Sequence, residues 1–146
     1  MERGTSYRSL SRSAEDTSRL GRTLGGLLGP GDTVFIYGGV GAGKTVFVKG
    51  LASRFNIRGY VTSPTFTILN IYNGDIVLYH YDAYRIESPE ELYDTGFFEF
   101  IDGGVVVVEW ADRIAGCKPE RCVEVWLERV PGRDNERQVK IEFNGF

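Results

Sequence analysis

Thr33-Val34-Phe35-Ile36-Tyr37-Gly38-Gly39-Val40-Gly41-Ala42-Gly43-Lys44-Thr45 decides the fold. Thr33 to Tyr37 is β-branched, apolar and aromatic, the composition of a strand. Gly38 to Thr45 then fits GxxxxGK[ST] at every fixed position. The residue types follow from the task. Main-chain N–H groups must converge on phosphate oxygens, and glycine permits both the turn and the close approach. A helix beginning at Lys44 and running to about Arg54 aims its unpaired amides and its dipole at the anion. Lys44 reaches the β- and γ-phosphates, and the Thr45 hydroxyl is a ligand for Mg²⁺. The nucleotide-binding run is Gly41, Ala42, Gly43, Lys44, Thr45 and Val46, and the expected cofactors are ATP and Mg²⁺. A Rossmann dinucleotide site competes poorly, because GxGxxG is missing and Lys44-Thr45 has no role there.

Upstream, Ser13 followed by Asp16 reads as a helix N-cap. Leu20, Leu24, Leu27 and Leu28 recur at helical spacing, so the pattern predicts a helix over Ala14 to Leu28, ended by Gly29-Pro30-Gly31. Downstream, Thr65 to Tyr72 and Asp75 to Tyr81 flank Asn73-Gly74, a tight-hairpin signal. Ser88-Pro89-Glu90-Glu91 reads as a cap, a first-turn proline and acids at a helix start, with Gly96 as the stop. Val105 to Val108 is a strand buried on both faces. Arg121 to Leu127 and Arg137 to Phe143 are late strands around Pro131-Gly132. The expected architecture is α/β: a P-loop NTPase-like three-layer sandwich with a mixed, partly parallel central sheet. Residues 1–146 read as one P-loop ATPase domain, with 1–12 a flexible tail.

The net charge of −3 carries no concentrated basic stretch, which argues against direct tight binding of nucleic acid. Val105 to Val108 is far too short to span a bilayer, and polar, Arg-rich Met1 to Arg12 does not read as a secretory signal. A cytoplasmic location is expected. Cys117 and Cys122 lack zinc-knuckle spacing and read as two buried free thiols.

A P-loop needs a carboxylate at a neighbouring strand end to hold the metal. Glu109 follows the buried valine run, and Asp82 ends the second hairpin strand. Glu109 is assigned to the metal with Thr45, directly or through water, and Asp82 to orienting or deprotonating the attacking water; with Lys44 they form the catalytic set. Ser63-Pro64-Thr65-Phe66-Thr67 reads equally as a nucleotide-sensing switch, through Ser63, Thr65 and Thr67, or as a plain strand entry. His80, the only histidine, shares a strand face with Asp82 and reads as a structural residue.

Taken together, these blocks resemble the TsaE (YjeE) family of bacterial P-loop ATPases. The resemblance rests on GAGKT at Gly41 to Thr45, SPTFT at Ser63 to Thr67, HYDAYR at His80 to Arg85, PEEL at Pro89 to Leu92 and VEW at Val108 to Trp110, in this order. It implies a component acting with TsaD and TsaB in making N6-threonylcarbamoyladenosine at position 37 of tRNAs that read ANN codons, touching tRNA only through the complex. It implies Mg²⁺-dependent ATP hydrolysis, low without partners, that resets or drives TsaD–TsaB; the threonylcarbamoyl group is not transferred by this component. By matching positions, Asp82 is a catalytic acid, Glu109 a metal ligand and Trp110 a functional neighbour, while Ser13 and Arg133 help to hold the nucleotide. One departure is Gly39, where family loops usually carry an acid; it bears on the hydrolysis rate more than on binding.

Two other readings compete. A small-molecule or nucleotide kinase needs a second substrate pocket, commonly under an Arg-rich lid, and no Arg-dense insertion separates the motifs. A nucleotide-gated binding module with little hydrolysis suits the small chain and Gly39. A GTPase is weaker still, since no [NT]KxD segment occurs.

Overall fold

In a computed structural model, β2 (Thr33–Tyr37) lies at the middle of a seven-stranded sheet of order β1-β7-β6-β2-β5-β4-β3. The structure describes residues 1–57, 61 and 68–146. Ser63, Thr65 and Thr67, and with them the switch expectation, lie outside the described residues. β2 pairs in parallel with β5 (Val105–Glu109) and β6 (Cys122–Val130), and β5 pairs in parallel with β4 (Leu78–Asp82). Antiparallel strands close both ends: β3 (Leu69–Tyr72) on β4, and β7 (Arg133–Asn144) between β6 and β1 (Ser6–Ser11). The mixed, partly parallel sheet is therefore as the sequence suggests.

Strand alternation divides the core in two. Val34, Ile36, Val105, Val107 and Leu78 pack with Leu24, Phe47 and Leu51 of helices α1 (Ala14–Gly25) and α2 (Lys44–Ser53). Phe35, Val106, Val108 and Tyr81 pack on the other face with Leu92 of α3 (Pro89–Asp94), Phe97 of α4 (Phe97–Phe100) and Ile114 of a 3-10 stretch, Ala111–Cys117. These are the three layers. Cys117 and Cys122 are both buried and unpaired.

Four local expectations change. Residues 6–11 are not a tail: β1 runs along β7 from Ser6↔Glu142 to Ser11↔Arg137. Its polar composition hides a strand whose pairing is met by backbone, with Tyr7 alone packing on the core. Helix α1 stops at Gly25, three residues short of Leu28, because Gly25-Gly26 disfavours further helix; Leu28 is buried from the turn beyond. The β3–β4 connection covers residues 73–77 rather than a two-residue turn, since its last pair is Tyr72↔Leu78. Asp75 N–H donates to the Phe55 carbonyl at 2.7 Å and Asn56 Nδ2 to Asp75 Oδ2 at 2.6 Å, so contacts with the end of α2 override the local turn preference. The late strands extend to meet at Val130↔Arg133, across a register shift between Arg129 and Val130.

Candidate active site

The site is built where β2, β4 and β5 end. After Tyr37 the chain turns through Gly38, and Gly41 (φ +73) and Gly43 (φ +96) take left-handed conformations that glycine alone adopts without strain. Gly43 is the N-cap of α2 and offers no side chain to the helix's first amides. The helix start thus has no side-chain cap of its own, the arrangement that suits a phosphate. Gly39 has open space where a side chain would project, so glycine is not a steric requirement there.

Lys44 is buried, and its Nζ donates to the carbonyls of Gly38 at 2.6 Å and Gly39 at 2.7 Å. It also lies 4.0 Å from the centroid of the Trp110 ring. Burial pushes the ammonium pKa down from its ordinary value, while Glu109, Asp82 and Asp112 act against that shift. The two expected carboxylates are thus both electrostatic neighbours of Lys44, and Asp82 and Glu109 stand directly opposite each other in the β4–β5 register. Asp82 Oδ1 accepts from the Tyr84 N–H at 2.9 Å, which fixes its rotamer. Asp112 is an acid that sequence reasoning did not single out.

Glu109 is 2% exposed and bonds not to Asp82 but to His80: His80 Nε2 and Glu109 Oε2 are 2.5 Å apart. Trp110 follows with φ +58, a conformation that a bulky residue rarely holds and that marks local strain. It lays the indole across Lys44 and 5.1 Å from the Tyr84 ring. A groove of about 530 Å³ beside the loop is lined by Tyr37, Gly38, Gly39, Val40, Trp110, Asp112 and Arg129, among others. A larger one of about 700 Å³, on the open face of the β1–β7–β6 end, is lined by none of Gly38 to Thr45.

On the other side of the loop, a cavity of about 110 Å³ is bounded by Ser13, Thr17, Gly43, Val46, Asp134, Asn135 and Arg137. Ser13 reaches this cavity while capping α1: its Oγ accepts from the Asp16 N–H at 3.1 Å. Arg133 does not line it. Its side chain is 69% exposed and pairs with Glu136 at 3.3 Å. Arg137 does line it, donating to the Gly41 carbonyl at 3.0 Å.

The approach to the loop is anchored from below. Glu124, buried on β6, accepts from Tyr37 at 2.6 Å, from Lys118 at 3.0 Å and from Asn144 at 2.7 Å. Burial first, and the Glu124 carboxylate second, raise the Tyr37 phenol pKa well above its ordinary value. A raised folded-state pKa means that the stabilisation is complete below about pH 10, the ordinary phenol value, and is lost as pH rises beyond it. Tyr37→Phe is expected to cost about 1.5 kcal/mol, or roughly 4 °C in Tm, at neutral pH. In thermal denaturation the gap from wild type should narrow above about pH 10.

Among the described residues no group of three or more His, Cys, Asp or Glu is arranged to hold a metal. A hydroxyl and one or two carboxylates suffice for Mg²⁺, which keeps several waters and takes other ligands from substrate phosphates. No described helix is long and apolar enough to cross a membrane.

The family profile described as "Threonylcarbamoyl adenosine biosynthesis protein TsaE" matches residues 11–139. The chain is 44% identical over 135 residues to the tRNA threonylcarbamoyladenosine biosynthesis protein TsaE of Treponema pallidum, covering 92% of this chain and 98% of that protein. It is 39% identical to the protein of the same name from Bacillus subtilis, covering 86% and 78%. The crystal structure of Bacillus subtilis YdiB superposes with a TM-score of 0.80 at 30% identity, covering 97% of this chain and 87% of that one.

Proposed function

The chain belongs to the TsaE family of threonylcarbamoyladenosine biosynthesis on tRNA, and from that premise we propose that it is the pathway's ATP-binding and ATP-hydrolysing component. In this reading it is one P-loop ATPase domain over residues 1–146, cytoplasmic, acting with TsaD and TsaB and meeting tRNA through them. The observation that carries the reading is the grouping of Glu109 and Asp82 around the Lys44 ammonium at the uncapped start of α2.

The roles follow from position. Amides of Gly41 to Val46 and the Lys44 ammonium bind the phosphates. Thr45 and Glu109 would hold Mg²⁺, which when bound neutralises charge on the phosphates. Asp82, its carboxylate already oriented by the Tyr84 N–H, orients the attacking water and takes its proton. Trp110 walls the phosphate side. Ser13, Val46 and Arg137 border the cavity beside the loop and hold the base side of the nucleotide, with Arg133 at the tip of the same hairpin within the same role. Of the switch residues Ser63, Thr65 and Thr67, the motif order alone supports a γ-phosphate contact.

The test is ATP turnover with Mg²⁺, measured with and without purified TsaD and TsaB. Turnover is expected to be slow alone and faster with both partners. Asp82→Asn should lower it by roughly 100-fold, the scale of one proton-transfer group, while ATP affinity changes less than threefold. Phosphate appearing on a metabolite instead of in solution would replace this reading with the kinase.

A further inference from the structure

The chain's single histidine is fully buried, and so is the carboxylate it touches. His80 and Glu109 sit on adjacent parallel strands, where His80 opposes Val107 and Asp82 opposes Glu109. Leu78 and Val107 belong to the helix-side core, so strand alternation turns His80, Asp82 and Glu109 to that same side, the side of α2. Each of the two side chains is a diagonal neighbour of the other. Their meeting at 2.5 Å commits one specific oxygen, Oε2, to the imidazole.

We propose that His80 is a positioning residue for Glu109: its Nε2–H holds Oε2 and leaves Oε1 as the oxygen presented to the nucleotide's divalent cation. The proposal rests on the assignment of Glu109 to the metal made above. A carboxylate with 2% exposure is costly to bury without a donor. Lys44 supplies charge to it, but that ammonium is also required by the phosphates. A ring N–H on the far oxygen holds the rotamer without competing for either. The other ring nitrogen supports the same tautomer. His80 Nδ1 is buried with no hydrogen-bond partner among the described residues, and orphaned buried N–H groups are rarer than under-satisfied acceptors. Groups that orient a metal's carboxylate ligands are commonly worth 10–100-fold in metal affinity.

Because His80 is the only histidine, a ¹⁵N-histidine-labelled sample reports this ring alone. Long-range ¹H–¹⁵N spectra of wild type should show the neutral tautomer protonated at Nε2, with a slowly exchanging proton whose signal moves when Mg²⁺ joins ADP. A proton on Nδ1, or a ring signal indifferent to Mg²⁺, overturns the proposal whether or not any variant folds. The second arm titrates Mg²⁺ against binding of a fluorescent ADP analogue. His80→Leu should raise the Mg²⁺ concentration for half-maximal tightening about tenfold, leaving binding in EDTA within about twofold. His80→Gln, which keeps a donor, should recover most of the loss, a rescue that mere core filling does not predict. If folded His80→Leu titrates like wild type while Glu109→Ala does not, His80 has no such role and the metal assignment stands. If Mg²⁺ does not tighten binding even in wild type, the metal assignment itself fails and the proposal goes with it.

Discussion

Lys44→Ala is expected to weaken ATP binding by at least about 100-fold while shifting Tm by no more than about 3 °C. The first figure comes from the loss of a partly desolvated ammonium facing phosphate oxygens: charge-assisted bonds of this kind contribute roughly 1.5–3 kcal/mol each, and 3 kcal/mol is more than a hundredfold in affinity. The second figure comes from where the ammonium sits. Its present acceptors are the carbonyls of Gly38 and Gly39, at the wet mouth of the loop, where water replaces the lost donor. The desolvation that lowers the Lys44 pKa also means that removing the charge recovers part of its burial cost. Against this, Glu109 loses the opposite charge beside it, and His80 is left as its near partner. Lys44→Met separates the terms, since it keeps the stem over Trp110 and deletes only the ammonium. Calorimetric titration with ATP decides the matter: wild-type affinity in a folded Lys44→Ala protein would remove the phosphate site from Gly38 to Thr45.

What the sequence could and could not reveal divides along one physical line. Features set within a few residues of chain were legible. The loop glycines, Lys44 and Thr45 are fixed by local spacing, and Glu109 stands out because an acid ends a run with no polar face. The α3 boundaries were legible too: Ser88 precedes the helix and Gly96, at φ +89, follows it. Features set by register between distant strands were not. The bond between His80 and Glu109 spans 29 residues and exists only because β4 and β5 run parallel in one particular alignment.

The missing of β1 and the passing over of Arg137 share a single cause. Arg133 lies at the hairpin tip, opposite Val130, while Arg137 lies deeper and pairs with Ser11 of β1. It is β1 that delivers Ser13, two residues beyond Ser11, to the hairpin. A chain whose first twelve residues are taken as frayed has no reason to put Ser13 beside Arg137 rather than near the tip. The strand was hidden because Ser6 to Ser11 alternates weakly in hydropathy, and its pairing is a property of β7's exposed edge as much as of its own residues.

Gly50→Ala should destabilise the fold by about 3 kcal/mol, roughly 10 °C in Tm, although alanine is intrinsically the better helix former. In an exposed helix the same exchange gains about 1 kcal/mol. The sign reverses here because α1 lies on α2 at backbone contact distance. A Cβ on Gly50 would stand 1.9 Å from the Ser18 carbonyl oxygen, and one on Gly21 would stand 2.1 Å from that of Phe47. Both obstacles are main chain, so no rotamer change relieves them and the helices must separate by more than 1 Å, as the ordinary contact distance requires. Separation loosens Leu24, Phe47 and Leu51, which are fully buried between the two helices and the sheet. Function should follow stability, because α1 carries Ser13 and Thr17 to the cavity beside Gly43 and Val46. Nucleotide affinity of Gly50→Ala, measured well below its Tm, is therefore expected to fall several-fold even in the folded fraction. Gly29→Ala is the control: a Cβ there meets nothing within 4 Å, so its Tm should stay within about 1 °C of wild type. A Gly50→Ala protein melting at or above the wild-type temperature would show that the helices do not meet so closely, and the link between their packing and the loop would fall with it.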